Sequence, residues 1–183
     1  LFDWGEIQTD PNFGNYRIRI ANEAGEDSGQ DKIVLLDFGA VQSYTDEFLA
    51  PVIQMIKASY EGDLEAVIDG GVTLNFMSRE WPEAVLEKFG SVCMSVLEPL
   101  SQDRSEWPDY AVNSHGEYRW KQSDLPSRVA RQAARSAISR YFRVPPKEFV
   151  FLNRKLIGVY TFIAVLYSEF NGEDILRHYL YSE

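Results

Sequence analysis

The sequence has little of two residue types on which many functional sites depend, cysteine and histidine. The one cysteine, Cys93, lies in an apolar run, which rules out an internal disulfide and predicts a small buried side chain. The two histidines, His115 and His178, are far apart and lack a neighbouring Cys or His at ligand spacing. This argues against a structural zinc site and favours surface positions for both.

Positive charge is also scarce. The 183 residues include 18 Lys and Arg against 28 Asp and Glu, a formal net charge of -10, so no overall nucleic-acid footprint is expected. A hydrophobic fraction of 45% and an aromatic fraction of 14% are typical of one folded domain with a sizeable core. Because the chain starts at Leu1 without an initiator methionine or signal peptide, we expect it to be a fragment.

A long uninterrupted apolar run is missing as well. The most apolar stretch, 149–170, is broken at 153–155 by Asn-Arg-Lys, which leaves about eleven clean residues where a bilayer needs about twenty. The sequence therefore predicts a buried core helix here rather than a membrane span.

The regular elements can be predicted from the spacing of apolar residues. Tyr16–Ala21 alternates with period two and Lys32–Leu36 is a short β-branched run, which together predict a β-hairpin. After Gly39, apolar residues recur every three or four positions from Leu49 to Tyr60, which predicts an amphipathic helix capped by Ser43 or Thr45. Further helices are predicted near 64–69, 79–97 and 125–142, and an extended surface loop is predicted at 101–123. The predicted fold class is α+β, mostly α, in one domain.

Three polar residues near the start stand in an order that indicates phosphoryl transfer. Asp10 and Asn15 are five positions apart in a Pro- and Gly-interrupted loop, and Asp37-Phe38-Gly39 ends the second predicted strand. A kinase-type site needs an Asp on a catalytic loop, an Asn five residues on, and an Asp-Phe-Gly triplet after the following hairpin. Each motif alone is weak, but the ordered set predicts a site.

The expected roles follow from charge. ATP phosphates repel an incoming nucleophile, so oxygen ligands must hold Mg²⁺ against them, and Asn15 and Asp37 are the predicted ligands. Asp10 is predicted to orient the attacking hydroxyl or water and to accept its proton. Gly39 is expected to allow a sharp turn, with Phe38 packed beneath it.

These motifs resemble the UbiB/AarF family of atypical kinases (aarF-domain-containing kinases), whose signature is Asp-Pro-x-x-x-Asn followed by Asp-Phe-Gly-Ala. The matching segments here are 8–15 and 36–40. Pro145-Pro146 and 149–156, which includes 152–155, look like the Pro-Pro pair and the Arg/Lys-bearing helix near the family's end. The resemblance implies a protein-kinase-like C-lobe spanning 1–183 with a small β-hairpin beside the catalytic loop, the N-lobe being absent. It also implies ATP and Mg²⁺ as cofactors, Asp10 as the catalytic Asp, and Asn15 and Asp37 as the metal-binding pair.

The departures from conventional kinases narrow the expected function. Gln8-Thr9 stands where conventional kinases have His-Arg, and no Ala-Pro-Glu follows Gly39, where only about six residues precede the helix. With no room for a peptide-docking activation segment, ATP hydrolysis or phosphorylation of a small or lipid-related molecule fits better. The resemblance implies a role in ubiquinone or isoprenoid-lipid metabolism, mitochondrial or plastid in a eukaryote, and cytoplasmic or peripheral to the membrane in a bacterium. Without an N-lobe we expect the chain alone to bind ATP poorly and to be inactive.

Alternatives remain open at this stage. Asp10, Asn15 and Asp37 also fit a nucleotide-gated module that recruits a lipid or a quinone-pathway partner without phosphoryl transfer.

A basic stripe could contact a membrane surface or pair with local acids; its members are Arg128, Arg131, Arg135, Arg140 and Arg143. The acidic segment 22–31 lacks calcium-loop spacing and is predicted to be a solvated hairpin loop. Trp81, Trp107 and Trp120 are predicted to cover the core rather than to line a ligand groove.

Overall fold

The computed structural model describes residues 2–21, 31–105, 107–136, 141 and 143–181, although the side chains of 135 and 136 lie outside this description. Within these residues, four short strands come first and six α-helices follow. The strands are β1 (Glu6–Gln8), β2 (Tyr16–Arg19), β3 (Lys32–Leu35) and β4 (Val41–Ser43). The helices are α1 (Asp46–Glu61), α2 (Leu64–Thr73), α3 (Glu83–Val96), α4 (Leu125–Ser136), α5 (Lys147–Val165) and α6 (Glu173–Tyr181). The predicted α+β, mostly α, fold class is confirmed.

The strands form two separate antiparallel ladders. β2 pairs with β3, with Tyr16 opposite Leu35 and Arg19 opposite Lys32, which confirms the predicted hairpin. β1 pairs with β4, with Gln8 opposite Val41, and this ladder was not predicted. Each of its strands has three residues, too few for an alternating pattern to stand out from the loops around it.

Helix α1 begins after one of the two predicted cap residues and covers the predicted stretch from Leu49 to Tyr60. Thr45 is its N-cap residue, Asp46 and Glu47 place negative charge in the first turn, and Gly62 ends the helix in the left-handed conformation at φ +79°. The Gly62 N–H donates to the Ala58 carbonyl, which satisfies one of the free carbonyls at the helix end.

Helices α1, α2 and α3 enclose the first hydrophobic core. Asp63 caps α2 by accepting a hydrogen bond from the Ala66 N–H at 3.0 Å. Gly90 lets α3 approach α2 closely, because a Cβ at this position would lie 2.5 Å from Leu64 Cδ1. The buried members of this core are Val52, Met55, Ala58, Val67, Ile68, Leu74, Phe76, Met77 and Leu86. Cys93 packs against this core but is only half-buried, whereas a buried side chain was predicted.

The segment 101–123 is not an extended surface loop, so that prediction was wrong. It contains a short 3-10 helix at Asp109–Ala111 and builds a second core, in which the Tyr118 ring meets Trp107 and Trp120 edge-on at centroid distances of 5.0 and 5.5 Å. The aromatic rings supply the buried area that ordinarily orders a segment without regular structure. The prediction that Trp107 and Trp120 cover the core is confirmed, and Trp81 packs beside the first core.

The basic stripe has local partners wherever its side chains are described. Arg128 donates from Nη1 to Glu98 Oε2 at 2.8 Å and from Nη2 to Oε1 at 2.5 Å. Arg131 lies 3.4 Å from Asp124 Oδ2, and Arg143 donates to Asn75 Oδ1 at 3.1 Å. These contacts favour pairing with local groups over a membrane role, while residue 140 and the 135 side chain lie outside the description.

Helix α5 is less buried than predicted. Tyr160 is its one fully buried residue, and apolar side chains such as Val150 and Ile157 are 49% and 44% exposed, so the helix lies at the edge of both cores. None of the helices in the described part of the chain has the length and apolar character needed to cross a bilayer. The acidic segment lies outside the described residues except for Asp31, which accepts a hydrogen bond from the Ala21 N–H.

Candidate active site

The pairing of the four strands brings the predicted site residues to one place. The loop that carries Asp10 and Asn15 connects β1 to β2, and the turn that carries Asp37 connects β3 to β4. Because β1 pairs with β4 and β2 pairs with β3, the loop and the turn must lie beside each other. Proximity of the site residues thus follows from topology.

The loop holds its own shape through side chains that the sequence supplies. Asn12 Oδ1 accepts a hydrogen bond from the Gly14 N–H at 2.9 Å, which starts the 3-10 turn Phe13–Asn15. The turn brings Asn15 back toward Asp10, and Asn15 Nδ2 donates to Asp10 Oδ2 at 2.9 Å. Asp10 Oδ1 also accepts from the Asn12 N–H at 3.3 Å. The two predicted site residues of the loop are therefore in direct contact.

Backbone hydrogen bonds tie this loop to the Asp37 turn. Leu36 is the residue directly before Asp37, and its N–H donates to the Asn15 carbonyl at 2.8 Å. At the other side, Thr9 donates to the Ala40 carbonyl from both its N–H at 2.8 Å and its Oγ1 at 2.9 Å. Thr9 is among the few buried polar residues, at 8% exposure. The Gln8-Thr9 pair, which replaces His-Arg of conventional kinases, thus has a structural part in joining the two segments.

The turn after Asp37 differs in one detail from the prediction. The chain does turn at Gly39, as predicted, without a left-handed conformation there. A Cβ at Gly39 would lie 3.1 Å from Asp37 Oδ1, and this oxygen accepts from the Gly39 N–H at 2.7 Å. The glycine therefore leaves room for that hydrogen bond. Phe38 does not pack beneath the turn; it is 60% exposed. Ile33 in β3 and Leu36 directly after β3 are also largely exposed. No element in the described part of the chain covers the side of the turn on which Phe38 lies.

The donor chemistry of the site suits a hard cation. Nδ2 of Asn15 donates to Asp10, so Oδ1, on the other side of the amide, is the atom of Asn15 that could bind a metal. The Asp37 carboxylate is the second candidate ligand. Among the described residues there is no group of three or more His, Cys, Asp or Glu that could enclose an ion. A two-oxygen set fits Mg²⁺, which keeps several waters and binds substrate phosphates together with one or two protein groups.

Helix α5 also contacts this loop, which sequence reasoning did not anticipate. Arg154 Nη2 lies 3.9 Å from Asp10 Oδ1, and Lys155 donates to residues at both ends of the loop. Gly158 faces Pro11 so closely that a Cβ would lie 2.1 Å from the Pro11 Cβ. One feature of the sequence could have predicted this contact: Asn-Arg-Lys at 153–155 interrupts an otherwise apolar helix. Charged residues on a helix that faces the core need partners, so this interruption indicates a polar neighbour.

Comparisons with known proteins agree with the geometry. Residues 1–70, which include both ladders and all three site residues, match the model of the ABC1 atypical kinase-like domain. The chain is 25% identical over 179 residues to the probable serine/threonine-protein kinase abkA of Dictyostelium discoideum, covering 98% of this chain and 29% of that protein. It is 26% identical over 178 residues to atypical kinase COQ8B, mitochondrial, of Rattus norvegicus, covering 97% of this chain and 30% of the rat protein. Atypical kinase coq-8, mitochondrial, of Caenorhabditis elegans is 26% identical over 166 residues, which cover 91% of this chain and 20% of the worm protein.

These matches confirm the predicted resemblance to the UbiB/AarF atypical kinases along nearly the whole chain. The three relatives are themselves named as kinases. The chain spans between a fifth and a third of the length of these curated relatives. The roles of Asp10, Asn15 and Asp37 remain predictions.

Proposed function

We propose that this chain, a relative of the ABC1 atypical kinases, carries the catalytic loop and metal-binding turn of an ATP-dependent phosphotransferase or ATPase. The observation that carries the proposal is the hydrogen bond of 2.9 Å from Asn15 Nδ2 to Asp10 Oδ2, in a loop tied by backbone hydrogen bonds to the Asp37 turn. Residues 1–183 are proposed to form the C-terminal lobe of the kinase-like domain, in which the two ladders precede a helical body.

Each of the three residues has a distinct proposed part. Bound Mg²⁺ would neutralise charge on the phosphates of ATP. Asn15, through Oδ1, and Asp37, through its carboxylate, would hold the ion with oxygen atoms of the kind it prefers. Asp10 would orient the attacking hydroxyl or water and accept its proton. The Asn15 amide positions the Asp10 carboxylate for this task by fixing one of its oxygens.

The segment after Asp37 supports a phosphoryl acceptor other than a docked peptide. Gly39 is followed almost at once by β4, which is paired with β1, and α1 begins at Asp46. The residues that would form an activation segment in a conventional kinase are used here for a ladder and a helix cap. We therefore propose water or a small or lipid-related molecule as acceptor, in a role that supports ubiquinone or isoprenoid-lipid metabolism.

The relatives bear on the proposed location. The rat and worm proteins are named as mitochondrial, and the same compartment is proposed for this protein in a eukaryotic source.

A nucleotide-gated binding module is the second candidate, and one observation favours it. Apolar side chains next to the site are exposed, among them Phe38 at 60%, Leu36 at 52% and Ile33 at 59%. Such a surface could meet a lipid or a protein partner whose access depends on bound nucleotide. In this candidate the same residues bind ATP, but phosphoryl transfer has no part in the biological role.

The Asp10→Asn variant of the natural full-length protein separates the two candidates. Asn has the same shape as Asp but cannot accept the proton, so nucleotide binding should persist while turnover falls at least about a hundredfold. Loss of turnover together with loss of biological rescue would support the enzyme. Loss of turnover with full rescue would support the binding module.

A further inference from the structure

One lysine of helix α5 joins the two ends of the catalytic loop. Lys155 Nζ donates to Gln8 Oε1 at 2.8 Å and to the Tyr16 hydroxyl at 2.7 Å. The same ammonium lies 5.4 Å from the centroid of the Tyr16 ring. Hydrogen bonds from an ionised donor are about twice as strong as neutral ones, so this is a firm attachment in a half-buried place.

The two partners of Lys155 flank the loop. Gln8 is the last residue of β1, two positions before Asp10, and Tyr16 is the first residue of β2, directly after Asn15. Gln8 and Tyr16 belong to different ladders, so no strand pairing joins them. Lys155 supplies this connection through side chains, and it thereby sets the distance between the ends of the segment that carries Asp10 and Asn15.

The rest of α5 makes the attachment rigid. One turn further along the helix, Gly158 lies against Pro11, with no space for a Cβ. Phe162 then packs its ring against Tyr16 at a centroid distance of 5.1 Å and against Phe13 at 5.7 Å. The loop is thus held at both ends and in its middle by one face of one helix.

We propose that Lys155 is a positioning residue for phosphoryl transfer, which acts by fixing the catalytic loop between Gln8 and Tyr16. This inference rests on the function proposed above. Lys155 touches neither substrate nor metal in it; the ammonium keeps the Asp10 carboxylate in line with the attacking oxygen. A displacement of about 1 Å at a catalytic group can cost on the order of a hundredfold in rate.

The test uses steady-state kinetics of MgATP turnover by the full-length protein and its Lys155→Met variant. Methionine keeps the length and apolar stem but removes the donor. We expect kcat to fall at least about tenfold, while KM for MgATP changes by less than about threefold, because the loss affects alignment rather than binding. Lys155→Arg, which restores a charged donor, should recover a substantial part of kcat. Lys147→Met, a change of an 80% exposed lysine on the same helix, is the matched control and should leave both constants unchanged.

A second variant covers the case in which Lys155→Met does not fold. Tyr16→Phe removes one acceptor of Lys155 and keeps the ring, and it should lower kcat at least about threefold. The double variant should be no worse than Lys155→Met alone, because both changes break the same contact. The melting temperature of each variant fixes an assay temperature at which all of them are folded.

The outcomes separate this inference from the function on which it rests. The proposed function stands if the wild type turns over MgATP and Asp37→Asn does not. If, in addition, both Lys155→Met and Tyr16→Phe stay within about twofold of wild-type kcat, the positioning role of Lys155 is wrong. A lower melting temperature with unchanged kcat has the same meaning. If the wild type neither binds nor turns over MgATP, both proposals fail together.

Discussion

Asn15 and Asp10 face each other across the loop that joins β1 to β2, with Asn15 Nδ2 donating to Asp10 Oδ2 at 2.9 Å. A carboxylate only accepts hydrogen bonds, so this contact fixes which end of the Asn15 amide is the nitrogen. The amide oxygen is thereby turned away from Asp10. One residue thus has two tasks in the proposed site: its nitrogen steadies the base and its oxygen is left for a cation.

The first prediction concerns the cation. In Asn15→Ala, the Mg²⁺ concentration that gives half-maximal ATP turnover should rise about tenfold or more, because one of two protein oxygens is lost. Asn113→Ala is the control outside the loop. The Asn113 amide donates to Glu117 and Glu169, so the change should lower stability by about 1 kcal/mol and leave the Mg²⁺ requirement within about twofold. Equal Mg²⁺ dependence in Asn15→Ala and the wild type would contradict the assigned role.

The second prediction concerns the contact between α5 and the loop. Gly158→Ala should lower turnover at least about tenfold, because the new methyl group cannot fit 2.1 Å from the Pro11 Cβ without displacing the loop. Gly90→Ala is a comparable change in α3, where the Cβ would meet Leu64 at 2.5 Å, far from the loop in sequence. Both variants should melt at lower temperatures. At a temperature where both are folded, only Gly158→Ala should be impaired in kcat, and a similar impairment in both would refute this account of α5.

The third prediction concerns two buried tyrosines of the second core. The Tyr118 hydroxyl donates to Glu98 Oε1 at 2.7 Å, so Tyr118→Phe should cost about 1.5–3 kcal/mol, the value for a hydrogen bond to a charged group. The Tyr160 hydroxyl is buried and finds no hydrogen-bond partner among the residues that the structure describes. Tyr160→Phe should therefore be neutral or stabilising. Urea denaturation of the two variants measures the difference, and a larger loss for Tyr160→Phe would show that this core is arranged differently.

The fourth prediction concerns Cys93 and pH. Burial raises the pKa of the Cys93 thiol to about 12 from an ordinary value near 9.0. Since the thiolate is the reactive form, alkylation of the native protein should stay slow at pH 8 to 9, where an unfolded thiol already reacts. The alkylation rate should rise only at higher pH, or at once in denaturant. Fast labelling of the folded protein at pH 8 would show that the thiol is neither buried nor shifted.

Much of the fold could be predicted from local patterns. The hairpin of β2 and β3 and the helix α1 follow from alternation and from apolar residues every three or four positions, and both are where the sequence placed them. The second core could not be predicted in this way. Trp107, Tyr118 and Trp120 lie in a segment without periodicity, and their burial depends on contacts with residues far along the chain, such as the hydrogen bond from Trp120 Nε1 to the Phe170 carbonyl.

The residues of the candidate site could be predicted from the sequence, but the strand pairing and the helix contacts that hold them in place could not. Asp10, Asn15 and Asp37 stand out by order and spacing, whereas the β1–β4 ladder that aligns their two segments is too short to leave a pattern. The part played by Lys155 was also hidden, because it depends on where α5 crosses the loop, more than a hundred residues later in the chain. Phe38 was misplaced for a related reason: whether a ring is covered depends on neighbouring elements rather than on the Asp-Phe-Gly triplet itself.

The most direct test of the central claim is MgATP binding and turnover by the full-length protein and its Asp37→Asn variant, with Asp46→Asn, a change in the first turn of α1, as the control. If Asp37 holds the metal beside Asn15, Asp37→Asn should lose at least about tenfold in MgATP affinity and about a hundredfold in turnover, because a neutral amide binds Mg²⁺ far less well than a carboxylate. Asp46→Asn should match the wild type. Equal affinity and equal turnover in Asp37→Asn and the wild type would contradict the account.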